Sequence, residues 1–169
     1  AIKHVIESSF GHSGQKCSAT SLLILEAEVY DDPHFKNALV DAAASLPVGS
    51  AWKRSTRIGP LIDPPSEALS KGLTTLDPFE NWALAPQIDS KNPRQISPGI
   101  KWDVRSGSFS HQTEFFGPLL SVLRADSLPH AIEIANQTPY GLTSGLESLD
   151  DREQAPRLPR GGRPRDHSP

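Results

Sequence analysis

The chain has no methionine, one cysteine and two tyrosines in 169 residues, and each scarcity narrows what it is. One cysteine cannot close an internal disulfide, so a reducing, cytoplasmic setting is expected. No apolar run approaches the roughly 20 residues of a membrane-spanning helix. The first residues lack the basic-then-apolar order of a secretory signal, and no membrane partner is expected. The six histidines never fall at an H-x-x-x-H or H-E-x-x-H spacing, so no metal is expected. Gly-x-Gly-x-x-Gly and other phosphate-cradling loops are missing too. The net charge of −3 argues against nucleic acid as a partner, and there is no internal repeat. What is present suits one domain with a real core: 36% hydrophobic and 22% charged residues, with 16 prolines.

The one cysteine lies in Ser8-Ser9-Phe10-Gly11-His12-Ser13-Gly14-Gln15-Lys16-Cys17-Ser18-Ala19-Thr20-Ser21, just before the apolar run Leu22-Leu23-Ile24-Leu25. A lone cysteine is more often a buried spectator than a catalyst. Here glycines and small polar residues lead up to it, which favours a presented nucleophile. A thiol reacts as its thiolate, a form that a neighbouring cation favours, and Lys16 stands beside it.

Residues 1–9 read as the end of a helix with Ile2, Val5 and Ile6 on one face, so a preceding segment is expected. Leu22 to Val29 reads as a buried strand. Asp31 or Asp32 with Pro33 starts a helix carrying Phe35, Leu39, Ala42, Ala43 and Leu46. Asp63-Pro64-Pro65 starts another, with Leu69, Leu73 and Leu76 on its face. Trp82 to Ala85 and Gly99 to Val104 read as strands joined through a turn, and Arg105 to Gln112 as a Ser/Gly-rich loop suited to binding. Leu119 to Leu123 is a further buried strand. Asp126 or Ser127 caps a helix whose Leu128, Ala131, Ile132 and Ala135 face the core, and Thr143 to Leu149 is a candidate last strand. Alternating strands and helices predict an α/β fold, an open, mainly parallel sheet with helices on both faces. Residues 1–150 make one domain. From Arg152 the chain carries five arginines against Glu153 and Asp166, so 151–169 is expected to be a disordered, basic, Pro/Arg-rich tail.

Three segments resemble a known family. Phe10-Gly11-His12-Ser13-Gly14-Gln15-Lys16-Cys17-Ser18-Ala19 resembles the nucleophile motif of the aldehyde dehydrogenases. Thr113-Glu114-Phe115-Phe116-Gly117-Pro118 is similar to their Glu-x-Phe-Gly-Pro element, and Asn136-Gln137-Thr138-Pro139-Tyr140-Gly141-Leu142 to their Asn-x-x-x-Tyr-Gly-Leu turn. The cysteine segment looks most like the pyrroline-5-carboxylate dehydrogenase branch, including the dehydrogenase part of bifunctional proline-utilisation proteins. The likeness runs over 1–150; Gly161-Gly162 lacks the family's context.

The resemblance implies an aldehyde dehydrogenase catalytic domain oxidising an aldehyde with NAD, glutamate semialdehyde (pyrroline-5-carboxylate) to glutamate in that branch. Cys17 would attack the carbonyl to give a thiohemiacetal and then a thioester, with its own N–H as one oxyanion donor. The family's oxyanion asparagine and water-activating glutamate lie upstream of Ala1, and Glu7 is too near the cysteine to replace the latter. Glu114 would hold the nicotinamide ribose, Phe116 would pack near the ring, and Ser18 would touch substrate. Without the resemblance, Glu114 reads as an exposed loop acid and Phe116 as a core anchor. Neither arm of the family's projecting assembly hairpin is evident, so association into a homo-oligomer stays open. Two other readings stand beside this one: a folded, non-catalytic remnant of such a domain, and a thiol hydrolase using Cys17 with His12.

Overall fold

The structure, a computed structural model, describes residues 1–154; of the expected tail, 151–169, all but the first four residues lie outside them. Four strands form one sheet, ordered β1 (Leu22–Glu26), β6 (Leu119–Ala125), β5 (Gly99–Trp102) and β2 (Asn81–Leu84). β1 and β5 both run parallel to β6, with Leu23 beside Val122 and Ile100 beside Leu120, and β2 is antiparallel to β5. This is the open, mainly parallel α/β sheet expected.

The pleat sends alternate residues of β6 to opposite faces. Leu120 and Val122, with Ile100 and Trp102, meet Ile6 and Phe10 of α1 (Ile2–Phe10) and Leu39 and Ala43 of α3 (Pro33–Ala44). Burying one such side chain is worth about 2 kcal/mol. On the other face Leu123 and Ala125 meet Ile134 of α6 (Leu128–Asn136). Beside them Leu119 and Phe115 meet Leu69 and Leu73 of α4 (Glu67–Thr74). Three of these helices begin on side-chain caps: Asp32, Ser66 and Ser127 accept the N–H of His34, Leu69 and His130, each contact worth about 1 kcal/mol.

Several boundaries differ from expectation for local reasons. β1 stops at Glu26 and Ala27–Tyr30 forms a helical turn, α2, because Tyr30 turns inward to stack on Trp102 at 4.8 Å. α4 starts after Ser66 and not at Asp63, since Pro65 keeps the residue before it out of the helical region. A short hairpin, β3 (Ile88–Asp89) and β4 (Asn92–Ile96), fills the connection between β2 and β5. Asp89 tightens it by accepting the N–H of Lys91 at 2.8 Å. The loop after β5 contains α5 (Phe109–Gln112), capped by Ser108. In α6 the buried residue is Ile134, and Ala135 is exposed. Thr143–Leu149 is not a strand; Glu147 instead ion-pairs with the Ala1 amino group and hydrogen-bonds His4 Nδ1 at 2.6 Å. A last helical turn, α7, covers Asp151–Gln154. Among the described residues no helix is long and apolar enough to cross a membrane.

Candidate active site

β1 and β6 are parallel, so the segments entering them lie at one end of the sheet. These are the cysteine loop, which leads into Leu22, and Glu114 to Pro118, which leads into Leu119. Phe10 anchors the first at the end of α1, 1% exposed. Three consecutive residues then take left-handed backbone angles, His12 at φ 54°, Ser13 at 57° and Gly14 at 71°. Only glycine adopts this region freely, and other residues hold it where their surroundings compel them. The compulsion is visible. Ser13 Oγ, buried, donates to the Gly59 carbonyl at 2.8 Å, and Gln15 Oε1 accepts the Ile62 N–H at 2.9 Å. The Ile58-Gly59-Pro60-Leu61-Ile62 segment is thus a brace for the cysteine loop.

Beyond the brace the chain makes a turn, the Ala19 N–H bonding the Lys16 carbonyl at 3.0 Å. Cys17 and Ser18 occupy its centre and are both exposed. Ser8 and Thr20 close the base of the loop through their hydroxyls, 2.7 Å apart. Cys17 is a free thiol open to solvent, so the buried-spectator reading does not hold.

The second motif abuts the first. A Cβ on Gly14 would lie 2.1 Å from the carbonyl oxygen of Gly117, so the two loops touch backbone to backbone. Phe115 and Phe116 then part company. Phe115 is 3% exposed in the cluster with Leu69 and Leu73, whereas Phe116 has φ 53° and is 43% exposed. The core-anchor role belongs to Phe115. Glu114 is exposed, and among the described residues its carboxylate accepts no hydrogen bond. The third motif completes the group through Tyr140, whose hydroxyl donates to the His111 carbonyl at 3.3 Å. Burial, and secondly the charge of Glu114, push its phenol up to about 12. The sequence marks Tyr140 as part of a turn without indicating this proximity.

A buried ion pair stiffens the approach to Glu114. Lys101 Nζ donates to Glu80 Oε2 at 3.2 Å, Ser110 Oγ at 2.9 Å and the Thr75 carbonyl at 2.9 Å, which ties α5 to β5. All three ammonium donors are used, so Lys101 is structural. His12 is exposed, and among the described residues no hydrogen bond joins its ring to Cys17, so the hydrolase reading gains nothing from the fold. Among the described residues no group of three or more His, Cys, Asp or Glu is placed to hold a metal ion.

Comparison with known proteins matches this arrangement to one family. The sequence profile of the Aldehyde dehydrogenase family matches residues 1–158. A 1-pyrroline-5-carboxylate dehydrogenase of Bacillus cytotoxicus is 34% identical over 149 residues, covering 88% of this chain and 28% of that protein. Among solved structures, Proline Utilization A (PutA) from Corynebacterium freiburgense is 45% identical with a TM-score of 0.85, over 90% of this chain and 16% of that one. A 1-pyrroline-5-carboxylate dehydrogenase from Thermus, solved with bound NAD, is 31% identical with a TM-score of 0.78, over 90% and 29%. The chain therefore spans about 28% of the length of the curated relatives it matches. With the profile matched along nearly its whole length and the three motifs gathered at one end of the sheet, the chain belongs to the aldehyde dehydrogenase family.

Proposed function

We propose that this chain carries the nucleophile of a cytoplasmic, NAD-dependent aldehyde dehydrogenase acting on glutamate semialdehyde (pyrroline-5-carboxylate) to give glutamate, through a thiohemiacetal and a thioester on Cys17. One observation carries the reading: an exposed thiol on a braced loop abuts the Glu-Phe-Phe-Gly-Pro segment. The substrate rests on the relatives named 1-pyrroline-5-carboxylate dehydrogenase, and a single exposed thiol suits a reducing compartment.

In the first stage the Cys17 thiolate adds to the aldehyde carbon, and the carbonyl π pair moves to oxygen. The Cys17 N–H is the donor this chain offers to that oxyanion, and Ser18, exposed in the same turn, is the side chain beside it that touches substrate. Bound NAD supplies the hydride acceptor that aldehyde oxidation requires. The residues here fit its nicotinamide end. Glu114 is an exposed carboxylate that accepts no hydrogen bond among the described residues, suited to two ribose hydroxyls, and Phe116 presents an open ring.

The test is alkylation of Cys17 by iodoacetamide with and without glutamate semialdehyde, alongside NADH formation from NAD and the same aldehyde. Protection by the aldehyde, with NADH formation lost in Cys17→Ala, supports the reading. Protection without NADH formation indicates the non-catalytic remnant, and absence of both discards the nucleophile assignment.

A further inference from the structure

Cys17 and Glu114 sit where the parallel strands begin. At the opposite end, beyond the carboxyl ends of β5 and β6, a cavity of about 470 Å³ opens. Val104, Leu123 and Ile134, all nearly buried, form its apolar floor, and Phe79 and Arg105 stand at its wall. The carboxyl end of an open α/β sheet is where such folds commonly take ligands.

The wall is built under constraint. Phe79 has φ 82° and is 66% exposed, and Asp103 has φ 59°. Bulky residues hold such angles only where surrounding contacts impose them. Asp103 is fixed on both carboxylate oxygens, by the Tyr30 hydroxyl at 2.6 Å and by Asn81 Nδ2, and its N–H bonds the Tyr30 oxygen at 3.0 Å. Two residues on, the Arg105 guanidinium carbon stands over the Phe79 ring, 3.5 Å from its centre. Among the described residues no carboxylate and no hydrogen bond engages that guanidinium. The other charges nearby are spent on one another: Arg124 pairs with Asp31 and Asp126. His130, also lining the cavity, accepts the Asp126 N–H on Nδ1, which leaves Nε2–H as its donor.

We infer that this cavity is a binding site for a small carboxylate with an apolar body. The Arg105 fork receives the carboxylate, His130 Nε2–H adds a second donor, and the body lies on Val104, Leu123 and Ile134. The contact with the Phe79 ring holds the guanidinium in place beforehand, so little freedom is lost on binding. The site is independent of Cys17.

Titration of the full chain with benzoate, followed by amide NMR shifts, tests it. Inorganic phosphate serves as the anion without an apolar body, and benzyl alcohol as the body without charge. Saturable benzoate binding is expected, with shifts at Val104 to Ser106 and around Ile134, and weaker binding of both controls. Arg105→Ala should weaken benzoate at least tenfold, Arg105→Lys should weaken it less, and Cys17→Ala should leave it unchanged. Both Arg105 and Cys17 are exposed, so these variants keep the fold. No saturable binding, undiminished binding by Arg105→Ala, or phosphate binding as tightly as benzoate would each overturn the assignment.

Discussion

Gly14 stands against the carbonyl of Gly117 so closely that a Cβ there would sit 2.1 Å from the oxygen. Gly14 also has φ 71°. Gly14→Ala thus meets two penalties: about 1–2 kcal/mol for the left-handed angle, and a clash with backbone that cannot swing aside. A loss above about 3 kcal/mol is expected, together with changed alkylation of Cys17, since the loop must move off Gly117. Thermal melts and iodoacetamide kinetics on the same sample check both. A variant with wild-type stability would mean that the two loops are not in contact.

Lys101 and Glu80 form an ion pair with each side chain 1% exposed. Removing one partner leaves a buried, uncompensated charge, so Lys101→Met should cost about 3–5 kcal/mol. Glu80 also accepts the Asp77 N–H at 3.0 Å and the Ser110 hydroxyl at 3.1 Å, so its acceptors must be kept in any rescue. Lys101→Met with Glu80→Gln does so without the charge, and should recover part of the loss. Urea unfolding of both variants decides the matter. Equal losses would remove charge burial as the cause.

The parts of the fold legible in sequence were those set by local chemistry. Asp32-Pro33 starts a helix by cap and fixed φ, and Leu119 to Leu123 is apolar enough to mark a central strand. What escaped depends on distant partners. Tyr30 ends β1 early because Trp102, far along the chain, offers it a stacking face. Thr143–Leu149 is a candidate strand by sequence, yet its Glu147 is held by Ala1 and His4. The same division holds at the candidate site. Cys17 was marked by its glycines and by family resemblance, whereas the Ser13–Gly59 and Gln15–Ile62 braces join residues more than forty positions apart, a separation no local pattern encodes.

Ser9, on the buried side of α1, is 2% exposed, and its Oγ has no hydrogen-bond partner among the described residues. A buried hydroxyl without a partner keeps its desolvation cost with nothing to offset it. Ser9→Ala is therefore expected to stabilise the fold by about 1 kcal/mol, a rise of about 2–4 °C in Tm for a domain of this size. A fall in Tm would mean that the hydroxyl is satisfied in solution.

His111 gives the fold a sensitivity to mild acid. It is fully buried, with Nε2–H donating to the Ile134 carbonyl at 3.0 Å and Nδ1 accepting the Gly107 N–H at 3.0 Å. Burial holds its pKa below the ordinary 6.5, and the bond to Ile134 offsets only part of that. As pH falls below about 6.5 the unfolded chain gains a proton that the native state refuses. Stability should then drop by up to about 1.4 kcal/mol per pH unit until the folded value is reached. Glu147 and Asp150 are held below their ordinary 4.5 and 3.8, chiefly by hydrogen bonds from His4 and Arg152 respectively. Their contribution is present above those values and fades only at lower pH, so the two windows separate. Thermal melts between about pH 7.5 and about pH 5.5 should show the loss in the wild type and a flatter profile in His111→Gln. Parallel profiles would assign the acid sensitivity to other groups.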